Sequence, residues 1–324
     1  MERTTWIIVL VCGIVLSAVS CTGYDSWMKR LPDDMPVWKV SLPGSHDAAT
    51  GTIPDENPAR EYAGTQTYDL ATQFEAGVRC FDLRPGFCDN DPGSLRIMHG
   101  YVDAGVSAED ALGTIASMLE KHPSEFAVIV TRIENTDYTD EVLDAAKDSL
   151  SALEKKFSGK GFTLDAFRPG LTVGDLRGKM LFINRNHLGA GRFHSGASVT
   201  GWGEGDSIYG PDGVRVPIDV QDEYEWEDND RFAKEKADCF MEHAAAFASA
   251  GEETWSVNHV SGYFFRDGLP RPHEFAAAVA PELCDRLDSW KDSASLGIVL
   301  LDYSGDPEYC GDVLVKKVID RNFD

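Results

Sequence analysis

Positive charge is scarce in this chain of 324 residues: 30 Lys and Arg stand against 54 Asp and Glu, a formal net charge of −24. That balance argues against a nucleic-acid partner, which needs a clustered positive field to displace counterions from phosphates. It also argues against long-range attraction to acidic lipids. Any anionic substrate must therefore be held by a few local cations. Cysteine is sparse as well, with 7 in the chain, and no CxxC or Cys/His pair has zinc-ligand spacing. There is no internal repeat, no low-complexity linker and no convincing domain boundary. No apolar run reaches the ~20 residues of a comfortable membrane span. What the chain does have is 43% hydrophobic residues, ample for a core, which excludes disorder and a small disulfide-held scaffold.

The one long apolar run, Trp6 to Val19, follows Arg3 and leads into Ala18-Val19-Ser20-Cys21. A run of this length with a small-residue end reads as an export signal rather than a buried helix. Residues 1–20 are thus expected to be a signal peptide and residues 21–324 the functional unit. Cys21 is expected to be the lipid-modified first residue of a bacterial lipoprotein, with plain secretion after Ala18-x-Ser20 as the alternative. Cys80 and Cys88 either pair across a turn in an oxidising compartment or sit as small core residues.

Short apolar runs then alternate with amphipathic helices. Strands are expected at Val37–Leu42, Val78–Leu83, Arg96–Met98, Phe126–Thr131, Met180–Asn184, Trp255–Val257 and Gly297–Leu301. Helical periodicity covers Ala108–Lys121, opened by Ser107 with Asp110, and then Glu141–Phe157, Arg231–Ala248, His273–Trp290 and Val313–Ile319. Alternation of this kind implies parallel pairing with right-handed crossovers, and the number of units suits one barrel better than two open sheets. Gly189–Asp230 is the exception, a Gly-, Asp- and aromatic-rich stretch without a period, read as a long excursion.

The chemistry collects just after the strands. Pro43-Gly44-Ser45-His46-Asp47 follows the first, Arg84 the second, His99-Gly100 the third, then Arg132, Arg185 and finally Asp302-Tyr303. In a parallel barrel these positions share the C-terminal rim, where active sites form. Each residue alone has an ordinary structural reading; their repetition on one rim does not. Asp82 shares a strand face with Arg84 and reads as its buried ion-pair partner. His122, His187, His194, His243, His259 and His273 lack such a setting and read as core or surface residues.

Two histidines and an arginine around an anion suffice to cleave a phosphodiester without a metal. One neutral imidazole accepts a proton from an attacking hydroxyl, and the other, protonated, gives one to the leaving oxygen. The guanidinium stabilises the charge that builds on phosphorus. A carboxylate beside one imidazole fixes its tautomer and stabilises its cation. A metal mechanism would instead ask for several carboxylates at the rim, where this chain has Arg84, Arg132 and Arg185.

The blocks Val40-Ser41-Leu42-Pro43-Gly44-Ser45-His46-Asp47, Thr65-Gln66, Gly77-Val78-Arg79-Cys80-Phe81-Asp82-Leu83-Arg84 and His99-Gly100 resemble the catalytic X-region of bacterial phosphatidylinositol-specific phospholipase C. The similarity continues through Pro123-Ser124-Glu125, Gly174–Lys179 and Val220-Gln221-Asp222 to Leu301-Asp302-Tyr303, most of residues 25–320. The resemblance implies an α/β fold, a distorted, incomplete TIM-type (β/α) barrel in a single domain. It implies that phosphatidylinositol, or a glycosyl-phosphatidylinositol anchor, is cleaved to diacylglycerol and inositol 1,2-cyclic phosphate. His46 then matches the general base, with Asp302 as its carboxylate partner. His99 matches the general acid, assisted by Asp47. Arg84 matches the arginine on the phosphate, where calcium-using relatives carry a metal ligand, so neither metal nor cofactor is expected. Arg185 and Asp222 match residues that hydrogen-bond inositol hydroxyls, Tyr224 an aromatic that stacks on the ring, and Arg132 a position where some relatives have Lys.

The expected partners are the lipid and, transiently, the membrane surface, with no nucleic acid and with the chain acting as a monomer. The family's interfacial Trp is not evident in Asn57–Gly64, where Tyr62 is the nearest substitute. Tyr263-Phe264-Phe265 offers compensation on the same rim, against a core-packing alternative. The competing functional readings are a metal-dependent glycerophosphodiester phosphodiesterase and a non-catalytic inositol-phosphate-binding lipoprotein.

Overall fold

Aliphatic runs that alternate with helices are the mark of parallel strands covered on both faces, and here they form the wall of a barrel. The computed structural model describes residues 23–88, 93–134, 137–186, 196–292 and 294–323. The expected signal peptide, residues 1–20, lies outside the described residues, as do Cys21, His187, Phe193 and His194. In chain order the strands are β1 (Leu42–Ser45), β2 (Cys80–Leu83), β3 (Pro85–Gly86), β4 (Arg96–His99), β5 (Val102–Ser107), β6 (Ala127–Thr131), β7 (Met180–Asn184) and β8 (Ala197–Val199). They continue with β9 (Asp206–Tyr209), β10 (Arg215–Gln221), β11 (Glu225–Trp226), β12 (Trp255–His259), β13 (Tyr263–Arg266), β14 (Leu269–Pro270) and β15 (Ile298–Leu301). The α-helices are α1 (Arg60–Ala63), α2 (Leu70–Glu75), α3 (Ala108–Lys121), α4 (Asp140–Ser158), α5 (Val173–Leu176), α6 (Phe232–Ala248), α7 (Pro272–Ser289) and α8 (Gly311–Asp320).

Nine strands close into one ring in the order β1-β15-β12-β10-β9-β8-β7-β6-β2, and β2 returns to β1. Around the ring every pairing is parallel except those of β9, which runs antiparallel to both β8 and β10. The TIM-type barrel is present and distorted by β9; its hydrogen-bonded ring is closed, where an incomplete one was expected. α3, α4, α6, α7 and α8 pack their apolar faces against the wall, and one core cluster runs from Trp27 to Ile319, so the domain is single. Ser107 opens α3 as its sequence indicates, its hydroxyl accepting the amide of Asp110 at 3.0 Å. Among the described residues no helix is long and apolar enough to cross a membrane.

Three sequence expectations are corrected. The first strand is displaced: Val37–Lys39 is a 3-10 turn, and the wall is formed by the turn-like Leu-Pro-Gly-Ser of β1. This segment lies between β15 and β2 so closely that a Cβ on Gly44 would stand 2.7 Å from Leu300 Cδ2 and 2.9 Å from Cys80 Cβ. Proximity, not strand propensity, selects the residue. Arg96–Met98 is not a barrel strand. It belongs to β4, the centre of an antiparallel sheet with β3 and β5, turned at Gly100 with φ 58°. Finally, the periodless stretch contains β8, β9 and β10. These are short or, in β10, alternate buried and exposed residues, so no continuous apolar run announces them.

The opposite end of the barrel, at the N-terminal ends of the strands, is plugged by the 3-10 segment Tyr24–Arg30 with Trp27 and Met28 buried. Two arginines hold it. Arg79, fully buried, pairs with Glu125 at 2.9 Å and donates to the carbonyl of Asp25 at 2.5 Å. Arg177 donates to the carbonyls of Met28, Leu31 and Ser124. Asn322 clasps both backbone groups of Ser41 on the same end. Cys80 is free and buried in the wall, the core reading rather than the bridged one, while the Cys88 sulfur faces Asp103 at 3.4 Å.

Candidate active site

At the C-terminal ends of the strands a cavity of about 670 Å³ opens. All nine residues singled out from the sequence line it: His46, Asp47, Arg84, His99, Arg132, Arg185, Asp222, Tyr224 and Asp302. His46 continues β1, its amide bonded to the carbonyl of Leu301 at 2.9 Å, which brings it beside Asp302 at the end of β15. Nδ1 of His46 meets Oδ1 of Asp302 at 2.9 Å. His99 arrives from the β4–β5 hairpin rather than from the barrel wall. Its Nδ1 donates to the carbonyl of Ala63 at 2.7 Å, leaving Nε2 to face inward.

The two imidazoles meet at one carboxylate. Nε2 of His46 stands 3.5 Å and Nε2 of His99 3.6 Å from the same oxygen, Oδ2 of Asp47. The other oxygen, Oδ1, takes Nε of Arg84 at 3.1 Å. Asp47 is held here in the left-handed region, φ 43°, which costs an aspartate less than most residues. Tyr303, next to Asp302, has φ 52°. Backbone strain thus sits beside both ends of the Asp–His pair.

Arg84 is clamped rather than mobile. Asp82, fully buried, receives Nε at 3.0 Å and Nη2 at 2.7 Å, the ion pair that its place on the strand face implied. Glu134 stands 3.6 Å from Nη1 and accepts the amide of Gly100 at 3.0 Å, tying the hairpin of His99 to the guanidinium. Donor atoms of His46, Asp47 and Asp82 lie within 4.8 Å of one another, close enough to hold a metal ion. The guanidinium of Arg84 already pairs with both carboxylates, and a second cation there would meet it at contact distance.

Burial would push His46 down, but Asp47 and Asp302 outweigh it and hold the imidazole at about 9. Asp302 is pushed up chiefly by burial, opposed by His46. Asp47 is held well below the usual carboxylate range: burial is outweighed by Arg84 and the two imidazoles. The ligand-free site therefore holds His46 as a cation and Asp47 as an anion.

Across the cavity lies a second polar wall. Arg185 stacks on Trp202, 4.2 Å from the ring centroid, and reaches Asp222 at 3.5 Å. Burial and the like charge of Arg84 push its guanidinium down to about 10, and its Nη1 is buried with no hydrogen-bond partner among the described residues. His259, read from sequence as an ordinary histidine, is fully buried in this wall. Its Nδ1 lies 3.4 Å from Asp222 and its ring meets that of His46 edge-on at 5.8 Å. Burial holds it neutral, down to about 3. The signal that would have found it is the one that found the others, a polar residue ending a strand, because β12 runs two residues further than its apolar run.

Gln66 explains the Thr65-Gln66 block. Its amide donates to the carbonyls of His46 and Leu301 at 2.8 and 2.9 Å and accepts the amide of Ser304, locking the loops of His46 and Asp302 together. At the mouth Tyr224, Tyr263 and Phe265 form an aromatic row, with ring centroids 6.0 and 5.3 Å apart. Phe264 between them is buried in the core, so the two readings of this cluster divide residue by residue.

No protein-family model matches the chain. Over 163 residues, half of this chain and 49% of the relative, it is 32% identical to the 1-phosphatidylinositol phosphodiesterase of Listeria monocytogenes. That match therefore spans about half the relative's length. Over 308 residues, 92% of this chain and 94% of the relative, it is 24% identical to the protein of that name from Staphylococcus aureus. A solved variant of the phosphatidylinositol-specific phospholipase C from Staphylococcus aureus shares the fold with a TM-score of 0.75 at 22% identity, covering 92% of this chain and 96% of that one. In sequence over nearly all of its length and in its barrel fold, the chain is similar to the bacterial phosphatidylinositol-specific phospholipases C.

Proposed function

We propose that this protein is a phosphatidylinositol diacylglycerol-lyase. The observation that carries the reading is the convergence of His46 Nε2 and His99 Nε2 on one oxygen of Asp47 while Arg84 holds the other. Mere binding of an inositol phosphate needs no such pair of proton carriers. With the phosphodiester against Arg84, His46 takes the proton of the inositol 2-hydroxyl and the oxygen attacks phosphorus. The bond to the glycerol oxygen breaks, and His99 protonates that oxygen. Diacylglycerol leaves, and inositol 1,2-cyclic phosphate remains. Holding hydroxyl and phosphorus in one molecule makes the attack intramolecular. Asp302 stabilises the imidazolium of His46 as it forms, and Arg84 the charge on the phosphoryl oxygens. Since His46 rests as a cation, it must shed a proton before it serves as a base. Arg185, Asp222 and Tyr224, with Arg132 beside them, then receive the ring.

The same proposal includes transient docking on lipid. Phe265 and Tyr224 are half-exposed at the mouth, and Tyr62 lines the same cavity, an apolar rim that fits the acyl–headgroup boundary. It also includes export of the chain, with Cys21 as the attachment point of a lipid or, failing that, with release.

Phosphorus NMR of the purified protein with phosphatidylinositol micelles and excess EDTA tests the reaction. A five-membered cyclic phosphate resonance preceding inositol 1-phosphate is the expected result. Product only with calcium would overturn the role of Arg84, and no product under either condition would overturn the enzyme reading.

A further inference from the structure

We propose that Lys236, on the outer helix α6, is a positioning residue for the ring-binding wall, resting on the reading just given for that wall. Lys236 is fully buried, an unusual place for a lysine unless it is paired. It touches neither His46 nor Arg84. Its Nζ donates to Oε1 of Gln221 at 3.1 Å and to the carbonyl of Glu223 at 2.5 Å. Those acceptors bracket Asp222 and precede Tyr224, so one ammonium grips the turn that carries both.

Gln221 spreads that grip across three elements. Its amide nitrogen donates to Oδ1 of Asn258 at 2.8 Å and to the carbonyl of His259 at 2.9 Å. Its oxygen also accepts the amide of Glu223 at 2.7 Å. Every hydrogen-bonding position of the side chain is thereby used. Asn258 in turn donates to the carbonyl of Phe240 on α6 at 2.9 Å, closing a loop from helix to turn to strand and back. A fully satisfied buried network fixes geometry more firmly than the sum of its bonds. Burial pushes the ammonium down to about 8, with Asp222 opposing; protonated or neutral, the amine still offers hydrogens to both oxygens.

Removing the amine takes away one of the two donors of the Glu223 carbonyl, which keeps only the Trp226 indole at 3.1 Å, and frees the turn to shift Asp222 and Tyr224, while the Arg84 side of the cavity keeps its own clamps. The ring half and the phosphate half of the site should thus respond differently. Lys236→Met keeps the stem and removes the donor. Calorimetry with myo-inositol probes the first half, and with inorganic phosphate the second. The expected result is about a tenfold loss of myo-inositol affinity, with phosphate affinity unchanged and the KM for phosphatidylinositol raised. Gln221→Leu should do the same, and the double variant should lose little more than the worse single one. If both probes weaken together, or neither does, Lys236 is a structural residue only and the proposal falls. If the unaltered protein binds no myo-inositol, the assignment of the ring wall itself falls, and this proposal with it.

Discussion

A single carboxylate oxygen shared by two imidazoles sets the pH behaviour of the site. His46 must be neutral to act as base, and Asp47 with Asp302 holds it near 9. Over the range in which His99 keeps its proton, the free-enzyme rate, kcat/KM, should therefore rise with pH as His46 loses its own. Asp47→Asn removes one of the two anions, so the cationic form loses support and the ascending limb moves toward acid, along with a lower maximum. A limb that stays in place would mean that another group controls it. Single replacement of His46, His99 or Arg84 by Ala should cost about 10²-fold or more in turnover while the circular dichroism spectrum is unchanged. Wild-type turnover in any of the three would remove its assigned role.

Among the elements, β1 is the one that residue propensity describes least. Gly44→Ala should lower stability by about 1–3 kcal/mol through overpacking, read as a lower denaturant midpoint at unchanged slope. A midpoint equal to wild type would mean that β15 and β2 do not press on it as described. The site was more legible than the wall that carries it. Arg185 and Asp302 follow apolar runs, His46 and Arg84 mixed ones, and chemistry at strand ends needs no knowledge of register. His99 was found through its motif, but its hairpin was not, because three residues of Arg-Ile-Met carry no mark of which neighbour they pair with. β8 and β9 are too short to show a period, and in β10 the inward residues alternate with polar ones. His259 was lost by ending β12 at Val257, before the polar residues Asn258 and His259. The pairing of Arg84 with Asp47 and Glu134, and the partners of Asp222, depend on contacts between distant parts of the chain, which no local pattern encodes.

For the whole molecule, a net charge of −24 and an apolar rim pull in different directions at a lipid surface. Binding should rest on burial of the rim rather than on attraction between charges. Replacing Phe265 by Ser removes an apolar side chain worth up to about 1.5–3 kcal/mol when fully buried, so affinity for phosphatidylcholine vesicles in sedimentation should fall about tenfold. Adding an anionic lipid without inositol should not strengthen binding, and salt should not weaken it. Tighter binding to such vesicles at low salt would contradict this account.

The plug at the far end of the barrel has a directional consequence. Tyr24–Arg30 is pinned beneath the strands by Arg79 and Arg177, on the face opposite the mouth. Cys21 precedes that segment by three residues, a reach of only about 10 Å of extended chain, too little to pass around the barrel. If a lipid at Cys21 tethers the protein, the mouth looks away from the bilayer that holds it. On that proposal, a lipid reaching the mouth would belong to a facing membrane, and cleavage would run in trans, across the gap between two surfaces.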